Sequence, residues 1–171
     1  MSVSANRHPR GSFKSGASHD HYMTPKGAWE NISQFIPKDK VVWEPFCGNG
    51  QSRRFLTEIG CDVISIEEDF FEYNRGEIII TNPPFSIKKE VFTRLKEMNK
   101  PFIVLCPLST MVTQYFQKLF KDEIQIIIPK KVIVFVKTDE EMKPIATKNP
   151  QRFECLYYCW KMNLANDITF L

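Results

Sequence analysis

The sequence predicts an α/β fold: one domain built on a mostly parallel, doubly wound sheet with helices on both faces. Three observations carry this expectation. The chain has 171 residues, the size of one domain with a single sizeable core. Short apolar runs alternate with amphipathic segments as far as Cys106, a rhythm that favours right-handed crossovers and parallel strands. Val41-Val42-Trp43 also leads through a loop with glycines at 48 and 50 into an amphipathic segment, the strand–loop–helix unit from which such sheets are assembled. After Lys137 no helical segment separates the closing strands, so they should include an antiparallel pair.

Taken in order, residues 1–18 are rich in Ser, Gly, Arg and Lys without hydrophobic periodicity and read as a disordered basic tail. Its Arg7, Arg10 and Lys14 can touch phosphates or simply be solvated. Residues 19–171 form the folded domain. Thr24-Pro25 opens a helix whose Trp29, Ile32 and Phe35 share one face and which ends at Pro37. Val41–Trp43 is a strand, Gln51–Ile59 a helix, and Cys61–Ile66 a second strand rich in β-branched residues. The acids Glu67, Glu68 and Asp69 follow it directly. Ile78–Thr81 is a third strand, and Ile87–Met98 an amphipathic helix with Lys88, Lys89, Arg94 and Lys96 on its outer face. Phe102–Cys106 is an unbroken apolar run and hence a buried strand. Thr110–Phe120 is a helix. Strands at Ile124–Ile128, Val132–Val136 and Phe153–Trp160 complete the domain, with a polar connection between Lys137 and Arg152.

Five cysteines, an odd number without paired short spacing, lie mostly in apolar runs. They fit buried thiols in a reducing, intracellular compartment, cytoplasmic or nuclear, better than a disulfide framework. Cys155 and Cys159 lie four apart on a strand and so share a face with Tyr157, as core residues. No second ligand pair stands at metal-site spacing, and His19 and His21 flank the start of the ordered part, so no metal is assigned. There is no signal peptide and no apolar stretch long enough to span a bilayer. The formal charge of +3 permits a nucleic-acid partner without requiring one.

The chemistry concentrates at Asn82-Pro83-Pro84-Phe85, which follows the third strand. The Asn82 side-chain carbonyl and the Pro83 main-chain carbonyl are two acceptors that can grip one NH2 group. Asn before Pro is pushed toward extended angles and each proline fixes its own φ, so the acceptors are preorganised. Phe85 offers a flat face to an extruded base. Some thirty residues upstream stands Glu44-Pro45-Phe46-Cys47-Gly48-Asn49-Gly50, where glycine lets backbone approach a ligand and the following helix start presents free N–H groups.

Together these two segments resemble the amino-methyltransferases that use S-adenosylmethionine (SAM), whose catalytic motif is (D/N/S)PP(Y/F/W) and whose cofactor motif is (D/E)PxxGxG. Thr24-Pro25 resembles the Thr-Pro element upstream of it in many adenine methyltransferases. The resemblance covers most of the chain and implies a Rossmann-like methyltransferase domain that binds SAM through Thr24, Pro25, Glu44, Pro45, Phe46, Gly48 and Gly50. It places Glu44 against the ammonium of the methionine portion. An acid after the second strand accepts from the ribose hydroxyls; Glu67 fits by position, with Glu68 and Asp69 as alternatives. Asp69-Phe70 has the form of the family's adenine-contacting pair. Asn82, Pro83, Pro84 and Phe85 are the implied catalytic residues.

The activity so implied is methylation of the exocyclic amine of adenine in DNA or RNA. Enzymes that methylate guanine amines in ribosomal RNA or a glutamine amide in release factors carry a similar motif, and a non-catalytic nucleic-acid-binding subunit could keep the fold. A domain of this length leaves no room for a separate target-recognition module, so recognition is expected from loops, the basic tail or a partner subunit. Such minimal chains resemble viral or mobile-element enzymes.

Overall fold

A computed structural model describes residues 22–139, 141, 143–148, 150 and 152–171. The basic tail, with Arg7, Arg10 and Lys14, and the expected start of the domain, with His19 and His21, lie outside the described residues. Every expected strand except Val132–Val136 contributes to one seven-stranded sheet, ordered β11-β6-β10-β5-β4-β2-β3. Its members are β2 (Val41–Trp43), β3 (Asp62–Ile64), β4 (Ile78–Thr81), β5 (Phe102–Pro107), β6 (Ile124–Ile128), β10 (Cys155–Trp160) and β11 (Ile168–Phe170). All neighbours are parallel except at β10, which runs antiparallel to both β5 and β6. The expected α/β class is therefore the one found, including the antiparallel element among the closing strands.

Helices α1 (Lys26–Glu30), α2 (Gln51–Glu58), α3 (Lys88–Met98) and α4 (Gln114–Phe120) cover the sheet. One core layer gathers Trp29, Ile32, Leu56 and the β10 residues Cys155, Tyr157 and Cys159. The other gathers Phe92, Phe102, Phe116, Phe120, Tyr158 and Trp160. The strict alternation along β10 is the period of two of a strand buried on both faces. The Tyr157 hydroxyl donates to the Ala28 carbonyl at 2.7 Å and accepts from Asn31 Nδ2 at 3.2 Å, tying α1 to the middle of the sheet. All five cysteines are free, and only Cys47 is not fully buried.

Several elements differ from the sequence expectation. The helix expected from Thr24-Pro25 to Pro37 breaks after Glu30 and resumes as a 3-10 turn at Ser33–Phe35. Ile32, the residue before that turn, is β-branched and flanked by Asn31 and Ser33, all weak helix formers, and burial of Trp29 and Ile32 holds the face without a continuous helix. The Thr110–Phe120 helix begins instead as a 3-10 turn at Leu108–Val112 and breaks at Thr113. There the Thr113 hydroxyl donates to the Thr110 carbonyl at 2.7 Å, a local bond that competes with the helix. The strand expected over Val132–Val136 divides into β7 (Ile133–Val134) and β8 (Val136–Lys137), neither of which joins the main sheet. β8 pairs with β1 (Tyr22–Met23) and β7 with β9 (Arg152–Phe153), both antiparallel. These two small ladders bring the start of the described chain and the segments around β6 and β10 to the same end of the sheet.

That end is where chemistry is expected. From β2 the chain passes to β3 on one side and returns to β4 on the other, which makes the β2–β4 gap a topological switch point, with a crevice beyond the carboxyl ends of the strands. Glu44 follows β2 and Asn82 follows β4 directly. The register depends on Gly76, whose φ is +57° and whose added Cβ would lie 2.8 Å from the Val41 carbonyl oxygen and 3.1 Å from Trp43 Cβ. Gly76→Ala is expected to destabilise the protein by at least about 2 kcal/mol in urea unfolding, from the left-handed backbone and the clash with a fixed strand.

Candidate active site

The site grows out of two strand ends. Glu44, 1% exposed, is anchored by its N–H donating to the Ile64 carbonyl at 2.9 Å. Its carboxylate Oε1 accepts from the Phe46 N–H at 3.0 Å and from the Thr81 hydroxyl at 2.5 Å. Burial dominates over these two bonds and pushes the Glu44 carboxyl up to about 8, with no cation of the described residues acting on it. A buried acid in this condition is a strong receptor for a positive group, because a cation beside it restores the ionised form. Thr81 is the residue that reasoning from sequence missed. A lone hydroxyl ending an otherwise apolar strand, directly before the Asn82 loop, was the signal for it.

Thr81 also joins the two halves of the site, since Asn82 is its neighbour. Asn82 Nδ2 donates to the Thr24 hydroxyl at 2.9 Å. With the amide nitrogen committed there, Asn82 Oδ1 is left as a buried acceptor with no partner among the described residues. A buried carbonyl without a donor costs free energy, and a donor from outside the protein would relieve that cost. Thr24 therefore sits on the Asn82 side chain, in addition to its place in the Thr-Pro element, and Pro25 forms the cap of α1. Pro83 is buried and Pro84 half-buried.

Phe85 begins a short 3-10 turn, Phe85–Ile87. Its ring is perpendicular to that of Phe153, with centroids 5.5 Å apart, and to that of Phe135 at 6.5 Å. Phe153 also meets Tyr22 at 5.3 Å and Phe135 at 5.4 Å. The small β1–β8 and β7–β9 ladders thus build an aromatic cluster against the Asn82 loop. Phe153, the first residue of the expected Phe153–Trp160 strand, belongs to it.

On the other side of Glu44, Pro45 is buried and Phe46 half-buried, and the loop turns through a Gly50 N–H to Cys47 carbonyl bond of 2.8 Å. Gly48 and Gly50 have φ of +51° and +83°, so glycine is needed for the left-handed backbone itself. A Cβ on Gly50 would meet nothing within 4 Å. Asn49 steadies the start of α2 by accepting from the Gln51 N–H at 3.2 Å and donates to the Met23 sulfur.

The acids after β3 separate. The strand ends at Ile64 and not at Ile66. Glu68 is held by Arg75 through two bonds of 2.9 and 3.0 Å, and the pairing lowers its pKa. Asp69 turns back to accept from the Phe71 N–H at 2.8 Å, while its carbonyl accepts from Glu72 and Tyr73. Glu67 is exposed and close enough for its charge to contribute to the raised pKa of Cys47, after the larger effect of burial. Phe70 is 3% exposed, with its ring packed on Trp43, Phe46 and Phe71. Phe46 and Phe71 are the rings in this corner that remain partly exposed.

No group of His, Cys, Asp and Glu side chains among the described residues is arranged to hold a metal ion, and no helix among them is long and apolar enough to cross a membrane. No protein-family model matches the sequence, and no curated protein matches it. Solved structures do match in fold. A Pyrococcus horikoshii protein named as an RNA methyltransferase superposes with a TM-score of 0.62 at 15% identity, over 88% of this chain and 91% of its own. A dimethyladenosine transferase from Plasmodium falciparum gives 0.51 at 13% identity, over 82% of this chain and 63% of its own. A Vibrio vulnificus protein named as the modification subunit of a type I restriction enzyme gives 0.51 at 13%, over 86% and 46%. At these identities the likeness establishes the Rossmann-like α/β fold, the architecture of those methyltransferases.

Proposed function

We propose that this chain is a SAM-dependent N-methyltransferase acting on the exocyclic amine of adenine in DNA or RNA. The observation that carries the reading is the buried Asn82 Oδ1, which has no partner among the described residues, one residue from the Thr81 hydroxyl that holds Glu44. An acceptor for an amine and a receptor for a cation thus stand side by side at the switch point, where such sheets bind ligands. The residues fit SAM on structural grounds: Glu44 is a buried acid without a countercharge among the described residues, matched to a positive group. Phe46, the Gly48–Gly50 turn and the exposed Glu67 complete a surface for the rest of the cofactor. When bound, the cofactor supplies an electrophilic methyl group.

The chain's own residues do the remainder. Asn82 Oδ1 and the Pro83 carbonyl accept the two N–H bonds of the target amine and turn its lone pair out of conjugation with the ring. Positive charge develops on that nitrogen as it becomes tetrahedral, so these acceptors bind the transition state more strongly than the planar ground state. Thr24 holds the Asn82 amide so that oxygen, not nitrogen, faces the amine. The proton leaves to water, and no strong base is required. Phe85, braced by Phe153 and Phe135, offers the ring surface for a base; this favours a nucleobase over the amide of a peptide side chain, which has no aromatic face to stack. The names of the P. falciparum and P. horikoshii structures lend support to adenine and to RNA.

Recognition is assigned to the loops at this end, the basic tail and any partner subunit. This reading assigns Lys88, Lys89 and Lys148 to phosphates of the substrate and leaves out Lys143, which pairs with Glu141 at 2.5 Å. Neutralising Lys88, Lys89 and Lys148 and removing residues before His19 should weaken oligonucleotide binding and spare SAM binding. The slope of log affinity against log salt should fall by about 0.7–0.9 for each phosphate that the protein no longer neutralises. Equal slopes for both proteins would remove these lysines from the interface.

A further inference from the structure

Beside the catalytic loop lies a cleft of about 660 Å3 that none of the preceding roles uses. One wall is the turn after β5, with Leu108, Met111 and Val112; the other is Arg152, Phe153 and Glu154. We infer that this cleft binds the unpaired nucleotide adjacent to the target adenine in the substrate strand, an inference that rests on the function proposed above.

Four features argue for such an occupant. The cleft is within the ~300–1,000 Å3 range of sites that take a small planar ligand. Its walls are tied to one another, because the Leu108 N–H donates to the Glu154 carbonyl at 2.7 Å and the Tyr158 hydroxyl donates to the Pro107 carbonyl at 2.8 Å, so the cleft is formed in advance. Its lining is largely apolar: Leu108, 46% exposed, and Val112, 77% exposed, both line this one cleft, where singly scattered apolar residues would not share a concave surface. The fourth is continuity with the site. Phe153 lines the cleft and also meets Phe85 of the catalytic loop at 5.5 Å.

Charge narrows the ligand. Arg152 is exposed and forms no ion pair among the described residues, so it is free to meet one phosphate at the rim. Glu154 on the same wall offsets it, which suits a neutral base with a single phosphate beside it and not a polyanion lying in the cleft. A base stacks on apolar and aromatic surface without regard to its identity. A strand that delivers its adenine to Asn82 would hold the neighbouring base here.

The test uses short single-stranded oligonucleotides with one adenine, in DNA and RNA form, each also made with an abasic residue directly 5′ or 3′ of that adenine. Wild-type protein is expected to lose about tenfold or more in kcat/KM, through KM, when the base on one particular side is missing. Val112→Asp should show that loss on the intact strand and become indifferent to the abasic residue, with kcat at saturation and thermal unfolding near wild type. Arg152→Ala should raise KM and lower the salt slope by about one. Methylation unaffected by abasic residues on both sides would overturn this inference and leave the proposed function standing. A collapse of kcat in folded Val112→Asp would overturn it too, because the cleft would then hold the target base itself. Methylation of duplex DNA but of no single-stranded oligonucleotide would overturn this inference alone, and methylation of neither would overturn both.

Discussion

Asn82→Ala is expected to lower turnover at least a hundredfold while leaving SAM affinity nearly unchanged. Removing one preorganised acceptor of developing charge typically removes about 3 kcal/mol of transition-state stabilisation. Asn82 Oδ1 has the attributes of such an acceptor: it is buried, without a partner among the described residues, and fixed by the bond from Nδ2 to Thr24. Thr24→Val should follow in weaker form, since it frees the amide to rotate, and Thr24→Ser should restore most of the rate by restoring the hydroxyl. Single-turnover rates beside calorimetric SAM binding separate the two quantities. An Asn82→Ala protein that methylates at near wild-type rate would show that the loop is not the amine receptor.

Glu44→Gln is expected to abolish SAM binding and, in the same protein, to raise stability at alkaline pH. Burial lifts the Glu44 pKa from 4.5 to about 8. Below pH 4.5 the folded and unfolded chains both carry the proton. Between 4.5 and about 8 the folded chain keeps a proton that the unfolded chain has released, so stability falls with rising pH, by up to about 1.4 kcal/mol per unit from this group. Above 8 both are ionised and the slope vanishes. Glutamine keeps the acceptor for Thr81 and Phe46 without the titration, so urea unfolding at pH 5, 6.5 and 8 should show that slope in wild type and lose it in the variant. The same linkage makes SAM binding to wild type release close to one proton at neutral pH, with affinity rising up to about tenfold per unit as pH approaches 8. A slope that persists in Glu44→Gln, or tight SAM binding by that variant, would remove Glu44 from the cofactor site.

Much of this arrangement was legible in the chain because it is carried by local rules. Val41–Trp43 and Ile78–Thr81 are strands with the predicted bounds, since an apolar run beside a glycine or proline loop has few alternatives. The alternation along Cys155–Trp160 placed both cysteines in the core with Tyr157. What the sequence concealed depends on partners far along the chain. Phe70 and Phe71 are interchangeable by pattern, and only packing against Trp43 and Phe46 decides which is buried. The acids Glu67, Glu68 and Asp69 read alike until Arg75 claims Glu68. Val132–Val136 has the composition of a core strand, yet its two halves pair with the segments at 22–23 and 152–153 to build the aromatic wall beside Phe85. The short β11 at Ile168–Phe170 has no signal beyond three alternating residues. The bond between Thr24 and Asn82, 58 residues apart, has no local signature at all.

The most direct test of the central claim is to incubate the protein with methyl-labelled SAM and separate pools of duplex DNA, single-stranded DNA, RNA and protein, then digest the labelled pool and identify the product by nucleoside mass spectrometry. Label is expected in a nucleic-acid pool, recovered as N6-methyladenine. Label on guanine, label confined to the protein pool, or no transfer by a chain that is folded and binds SAM would contradict the claim.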